Sequence, residues 1–368
     1  GNVGFESTGI NPLRGQNNVQ GACDMGALPT DYTGYQKVFI DPVRERMGEF
    51  WKRDLPDKKG LTITEMMDAA DKGDLSFLYI MGENPMISDP DQNHIKESLK
   101  KLDFLLVQDI FLSETAEFAD VVLPAASFAE KDGTFTNTER RIQRINKAID
   151  PIGDSKADWQ ILMEISTLLG YEEYYENPSE IMDEIAGCTP SYGGISYKRL
   201  KEESLQWPCT NKDHPGTKYL HKNTMARGKG LFVPIDYEES KELPDEKYPL
   251  ILTTGRMLYQ YHTRTMTGKI EGLSEIAGKS YIEISPQTAK IYNIKNGEKI
   301  KVSSRRGSVE SYAKVTEKIN PGVVFMPFHY VDGPANRLTN PILDPIAKIP
   351  ELKVASVMIE KIERGSYV

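Results

Sequence analysis

The chain has 368 residues, 39% hydrophobic and 27% charged, enough for two or three domains with cores of their own. Its net charge of -9 argues against a general nucleic-acid binder or a binder of anionic membranes, because either would carry a dense lysine and arginine patch. Cys23, Cys188 and Cys209 lie far apart with no C-x-x-C pair, so neither a zinc site nor a disulfide scaffold is indicated and a reducing compartment is the simplest reading.

The first residues, "GNVGFESTGINP", read like the middle of a domain and lack the pattern of a signal peptide, so sequence upstream is expected. Next comes "NPLRGQNNVQGACDMGALP", residues 11–29, with Arg14, Gln16, Asn17, Asn18, Gln20 and three glycines in a loop-like stretch of almost no hydrophobic period. It is too polar for core, and something polar is expected to be held there. "LTITEMMDAADKG" predicts a helix closed by Gly73, and "QNHIKESLKKL" a second one. "LSFLYIMG", "FLLVQD" and "ADVVLP" read as strands whose continuous apolar runs predict a parallel sheet covered on both faces, hence an α/β domain. No run approaches the ~20 apolar residues of a membrane span.

Residues 125–240 read as irregular, with a polar loop "EKDGTFTNTERRIQR", helices in "SKADWQILMEISTLLG" and "SEIMDEIAG", and a Pro/Gly-rich stretch. "KELPDEKYP" has the composition of a domain linker. Beyond it, "LILTTG", "SYIEIS", "EKIKVSS", "SVESYAKVT" and "VVFMPF" are short, evenly spaced strands of a mostly-β barrel, with one short helix opened by Ser285 and Pro286.

Ligands of open α/β sheets bind outside the carboxyl ends of the strands. There the chain places Gly82, Glu83, Asn84 and Ser88 after one strand, and Gln108, Asp109 and Thr115 after the next. Gly82 allows close approach to the backbone, while Asn84, Gln108 and Asp109 offer the donors and acceptors that a pterin or purine edge needs. Singly, "GENP" reads as a turn and "QD" as a helix cap; together they favour a nucleotide-like ligand. Lys131, Thr134, Thr136, Asn137, Arg140 and Arg141 form a solvated loop or a ligand contact with equal weight. Ser155 and Asp158 fit capping-box spacing. In "TTGRMLYQYHTRTMTG", Arg256 with His262, Thr263, Thr265 and Thr267 makes a credible diphosphate or pterin clamp, since guanidinium binds phosphate bidentately. Asn336 and Lys353 are unremarkable singly.

In order along the chain, "NPLRGQNNVQGACDMGALP", "YIMGENP", "VQDIFLSETAEFADVVLP", "DGTFTNTERRIQR", "DWQI", "LTTGR…HTRTMTG" and "LDPIAKIPELKVASV" resemble the catalytic subunit of formate dehydrogenases of the dimethyl sulfoxide reductase superfamily. These carry molybdenum or tungsten on two pyranopterin guanine dinucleotides. The resemblance implies that Arg14 orients the formate carboxylate and that Gln16 contacts a pterin. It implies contacts to one guanine dinucleotide from Gly82, Glu83, Asn84, Ser88, Gln108, Asp109 and Asp158, with Thr115 and Lys131 as further cofactor-binding candidates. Arg256, His262, Thr265, Asn336 and Lys353 are the candidates in a C-terminal cap domain. Relatives usually carry histidine where this chain has Gln260. No residue here is a metal ligand: the iron–sulfur cluster and the Cys or selenocysteine followed by His belong to the family's N-terminal third.

The implied fold is a parallel-sheet, Rossmann-like dinucleotide-binding region followed by a mostly-β, double-psi barrel-like molybdopterin dinucleotide-binding domain. Its expected divisions are 1–16, 17–127, 128–240 and 241–368. The implied function is the C-terminal portion of a formate dehydrogenase or CO2 reductase, inactive alone. Its partners would be the N-terminal part carrying a 4Fe-4S cluster, iron–sulfur or flavin electron-transfer subunits, a hydrogenase, and formate or CO2, with no nucleic acid, in the cytoplasm. The alternatives are another molybdopterin oxidoreductase such as a nitrate reductase, disfavoured by "RGQNNVQG", or a non-catalytic platform like the large subunit of respiratory complex I, in which the pterin-facing polar residues would have decayed.

Overall fold

A computed structural model describes residues 2–171, 174–223, 225 and 227–362; Gly1 and residues 363–368, at the outer ends of the expected divisions, lie outside them. The polar stretch near the N-terminus is not a plain loop, because it contains the helix α1, Val19–Asp24. Asn18 precedes it with φ at 59°, a left-handed geometry asparagine tolerates, and α1 places Gln20 and Asp24 one turn apart on a single buried face.

The helices α2, Ile63–Lys72, and α3, Gln92–Lys100, fall where their periodicity predicts. Gly73 follows α2 at φ +79°, the backbone geometry that glycine adopts without strain. The strands β1, Phe77–Met81, β2, Phe104–Asp109, and β3, Val121–Pro124, pair in parallel in that order. The expectation that this sheet is covered on both faces is corrected. Leu78, Ile80, Leu105 and Val107 pack on Met67 of α2 and on Ile95 and Leu99 of α3, whereas the opposite face buries Leu106 and Gln108 in its middle and leaves Phe77, Met81, Phe104 and Val121 around them exposed. Apolar runs report burial potential on both sides of a strand, but the described residues supply helices to only one.

The expected loop "EKDGTFTNTERRIQR" is likewise corrected, for it folds into a hairpin of β4, Gly133–Thr136, and β5, Arg141–Ile145. Asn137 makes the turn by accepting at Oδ1 from the N–H groups of Glu139 and Arg141, at 3.1 and 3.0 Å. A short strand β6, Leu205–Gln206, adds to β5. The helix α4, Asp158–Leu168, starts at Asp158, with Ala157 in the capping position and Gln160 accepting from the Ala157 N–H at 3.2 Å. The expected Ser155–Asp158 box is therefore not formed, and the Ser155 hydroxyl donates to the Ile152 carbonyl instead. A further helix, α5, spans Pro178–Cys188.

The last third closes into a six-stranded barrel. Its strands are β7, Leu250–Gly255, β8, Tyr281–Ile284, β9, Lys299–Ser303, β10, Ser308–Val315, β11, Val323–Pro327, and β12, Ala355–Lys361, in the ring order β8-β10-β9-β12-β7-β11. Strict alternation of buried and exposed positions along β10 sends Val309, Ser311 and Ala313 inward, where Val309 and Ala313 join Leu252, Ile282, Ile300, Val324 and Val357 in one core. The helix α6, Pro286–Ile291, is capped by the Ser285 hydroxyl accepting from Thr288 N–H at 3.1 Å. By contact the residues form two compact units, each discontinuous in sequence: 1–62 with 125–235, and 63–124 with 236–368.

Candidate functional site

In the second unit, the candidates lie at the strand ends and at one mouth of the barrel. Gly82 continues from β1 at φ +65° and donates its N–H to the Gln108 carbonyl at 2.9 Å. The Asn84 side chain is buried and spoken for at both ends. Its Nδ2 donates to Glu114 at 2.7 Å and to Thr265 at 3.2 Å, while its Oδ1 accepts from the Thr115 hydroxyl at 2.8 Å and N–H at 3.2 Å. Gln108 is fully buried beside the Tyr79 hydroxyl, and Thr115 caps the Met86 N–H at 3.2 Å. These three side chains shape the loops around the strand ends.

Three carboxyls gather there. Desolvation by the surrounding protein, then the charges of Asp89 and Asp109, raise Glu83 above the usual carboxylate range although its surface is exposed. Burial raises Asp109 against the opposing pull of the Ile110 and Phe111 N–H groups. Burial pushes Asp89 up to about 6; its Oδ1 accepts from Ser88 at 2.8 Å and its Oδ2 is buried without a partner. Asp89 was not among the sequence candidates; only a polar run, "SDPD", marked it.

A cavity of about 430 Å3 opens beside Ser88 and is lined from the barrel by Thr254, Gly255, Arg256, His262, Phe328, Asn336, Leu352 and Lys353. Five sequence candidates thus meet in one place. At Gly255, the end of β7, a Cβ would come within 2.6 Å of the Phe325 ring and could be fitted only by displacing that ring. Arg256 follows, exposed. Burial, then the neighbouring Arg256, pulls both His262 and Lys353 below their ordinary values, and Lys353 donates to the Thr254 carbonyl at 2.5 Å. Asn336 is 1% exposed; its Nδ2 donates to the Ile87 and Ser88 carbonyls at 2.9 and 3.0 Å, and its Oδ1 has no partner. No carboxylate is among the residues lining this cavity.

Thr265 lines a smaller cavity, about 150 Å3, with Ser113, Glu114, Thr263, Arg264 and His329 among its walls. His329 was missed by sequence reasoning; it is fully buried with neither ring nitrogen bonded, and burial, then the charges of Arg264, Arg256 and His262, push it down to about 4. Gln260, standing where relatives carry histidine, is buried between the Ala277 carbonyl at 3.1 Å and the Thr267 hydroxyl at 2.6 Å.

In the first unit, Arg14 is exposed and its Nε donates to Gln20 Oε1 at 3.3 Å, with Gln16 half-buried nearby in sequence. Lys131 and Asp158 form an ion pair with each other. Arg140 is spent on the carbonyls of Trp207, Thr217 and Lys218, and Arg141 on Glu139, Ser204 and Gln206. Among the described residues no group of His, Cys, Asp and Glu could hold a metal ion, and no helix is long and apolar enough to cross a membrane.

Residues 1–168 match the family Molybdopterin oxidoreductase, and residues 250–356 match Molydopterin dinucleotide binding domain. The chain is 54% identical over 366 residues to the F420-dependent formate dehydrogenase subunit alpha of Methanocaldococcus jannaschii, covering 98% of this chain and 54% of that protein. It is 38% identical to formate dehydrogenase H of Escherichia coli, covering 98% and 52%. The chain therefore spans about half the length of the curated relatives it matches. Among solved structures it resembles the acetylene hydratase of Pelobacter acetylenicus, with a TM-score of 0.67 at 16% identity over 87% of this chain and 50% of that one, a likeness of fold.

Proposed function

We propose that the chain is a member of the molybdopterin oxidoreductase family, whose models match residues 1–168 and 250–356, and part of the catalytic subunit of a formate dehydrogenase, holding guanine dinucleotide ends of a molybdenum or tungsten bis-pyranopterin cofactor and presenting Arg14 to formate. The observation that carries the cofactor reading is the larger cavity: two cationic side chains and a histidine, no carboxylate, and an orphaned buried amide oxygen on Asn336. A diphosphate supplies the anion that Arg256 and Lys353 lack, with His262 as a neutral hydrogen-bonding partner, and a ligand N–H or O–H supplies the donor that Asn336 Oδ1 lacks. The residues present fit the group. Gly82 at the end of β1 leaves room for a ligand against the backbone, and Glu83, Asp89 and Asp109 offer acceptors suited to the N–H edge of guanine. In this reading the parallel sheet is the Rossmann-like element and the barrel is the double-psi type.

When bound, the cofactor accepts two electrons from formate. The chain's own residues bind and orient. Held at Nε by Gln20, the Arg14 guanidinium presents its outer N–H groups to a planar carboxylate in the bidentate manner lysine cannot match. It neutralises formate without acting as a base. Identity to relatives named F420-dependent formate dehydrogenases makes F420 the electron acceptor we propose. Partners would be the remainder of the catalytic subunit, with its iron–sulfur cluster, and electron-transfer subunits.

The test is metal and guanine-nucleotide analysis of the native assembly, followed by formate-dependent F420 reduction. Molybdenum or tungsten with about two guanine dinucleotides per catalytic subunit is expected, the count the bis-pyranopterin cofactor requires. An assembly with neither metal nor nucleotide defeats the reading.

A further inference from the structure

In the first unit, the buried side chain that holds Arg14 at Nε is itself held on its other side by a second buried group. Gln20 is 7% exposed on α1. Its Oε1 accepts from Arg14 Nε at 3.3 Å, and its Nε2 donates to Asp24 Oδ1 at 2.7 Å and to the Tyr35 hydroxyl at 2.7 Å. Asp24, fully buried, also accepts from the Tyr35 hydroxyl at 3.0 Å, the Tyr192 hydroxyl at 2.7 Å and the Trp207 indole N–H at 2.7 Å. These come from three separate stretches of chain, so the carboxylate is fixed in place.

We infer that Gln20 is a positioning residue for Arg14, locked in one orientation by Asp24. The inference rests on the reading of Arg14 as the formate-orienting cation. Its basis is the polarity of the amide. An ionised carboxylate can only accept and a guanidinium can only donate, so a carboxamide between them has one favourable orientation, nitrogen toward Asp24 and oxygen toward Arg14. Turned over, it would set oxygen against carboxylate and N–H against guanidinium. Burial raises Asp24 above the usual carboxylate range, and the hydrogen bonds from Tyr192, Gln20, Tyr35 and Trp207 pull the other way, toward the charged form. Arginine has four side-chain torsions and, exposed, would sample many of them; a fixed acceptor at Nε selects those that keep the fork in one plane.

The test is a double-mutant cycle in the complete formate-oxidising enzyme, reading kcat/KM for formate alongside metal and guanine-nucleotide content. Gln20→Met keeps length and volume while removing both polar ends. It should lower kcat/KM about tenfold with cofactor content unchanged, the scale of losing one hydrogen bond to a charged group. Arg14→Lys keeps a cation but loses the Nε–H that Gln20 accepts, so in that background Gln20→Met should cost less than about twofold. Full multiplication of the two effects, the mark of a merely structural role, overturns the inference, as does an unchanged kcat/KM in Gln20→Met. Should Gln20→Met fail to assemble, Tyr35→Phe removes one partner of the amide, and its loss of two- to threefold in wild type should vanish beside Arg14→Lys. Arg14→Ala separates the two readings: full formate turnover there removes the role of Arg14 itself, whereas collapse of turnover with independent effects at Gln20 removes only the positioning role.

Discussion

Replacing Asn336 by alanine tests the mouth of the barrel in one step. The side chain is 1% exposed and its Nδ2 serves two carbonyls, Ile87 at 2.9 Å and Ser88 at 3.0 Å. Truncation strands both. An unsatisfied buried acceptor costs about 1–3 kcal/mol, and since Ser88 is only half-buried the sum should lie near 2–3 kcal/mol. With a urea slope of about 2 kcal/mol/M, that corresponds to a transition about 1 M lower. Because the chain has two units and need not unfold in one step, the readout is hydrogen exchange at peptides covering β11 and β12, compared with peptides of α4 and α5. Protection should fall in the former and hold in the latter, and guanine-nucleotide content of the assembled enzyme should fall with it. A loss of less than about 0.5 kcal/mol in the barrel peptides would refute the assignment of Asn336 as the tie to the Ile87–Ser88 turn.

Other substitutions probe charge. Arg256→Ala should weaken retention of guanine nucleotide about tenfold or more, by the worth of a charge-assisted bond, measured by nucleotide release during dialysis. Glu242→Ala should cost the barrel unit about 3–5 kcal/mol in denaturation, because Glu242 accepts from Arg306 at 2.6 and 2.8 Å and from Ser356 N–H at 2.7 Å. Burial pushes the Glu242 carboxyl up, but Arg306, the Ser356 N–H and Arg305 together outweigh it and hold the group below its ordinary 4.5. A depressed folded value means stability present above the unfolded pKa and lost as pH falls through the folded one; Glu242→Gln should lack that acid limb. His329 behaves differently in origin but shares the direction. It stays neutral when folded down to about 4, whereas the unfolded side chain takes a proton near 6.5, so stability should fall between those pH values and His329→Gln should flatten the window.

The barrel was legible because its code is local. The alternation along "SVESYAKV" shows in Val309, Glu310, Ala313 and Lys314 and matches the burial of β10 there, while Ser311 is buried and Tyr312 exposed against their polarity. The short helix α6 was equally plain, since the Ser285 hydroxyl accepts from the nearby Thr288 N–H and Pro286, at the first helical position, has its φ already set and no N–H to satisfy. The hairpin β4–β5 escaped because it carries no period-two signal: Phe135 stands alone before the Asn137 turn, and Ile142 and Ile145, three positions apart, fall on opposite faces of β5. Six residues of α1 gave no amphipathic period, and its left-handed Asn18 cap is visible only in backbone angles. Arg256, His262, Asn336 and Lys353 are spread over nearly a hundred positions and converge only when the barrel closes. His329 and Asp89 could not be singled out, because burial that leaves both His329 nitrogens and Asp89 Oδ2 unpartnered is a property of neighbours and not of sequence.

The partly exposed second face of the parallel sheet sets terms for handling the chain. Phe77 and Phe104 stack at 5.8 Å on the side left exposed, next to Met81 and Val121. A flat aromatic and aliphatic surface of this kind attracts its own copies in water, and the net charge of -9 opposes that only while salt is low enough for the repulsion to reach between molecules. Purified alone, the chain should therefore self-associate more as ionic strength rises, opposite to assemblies held by ion pairs, and sedimentation at two salt concentrations would tell these behaviours apart.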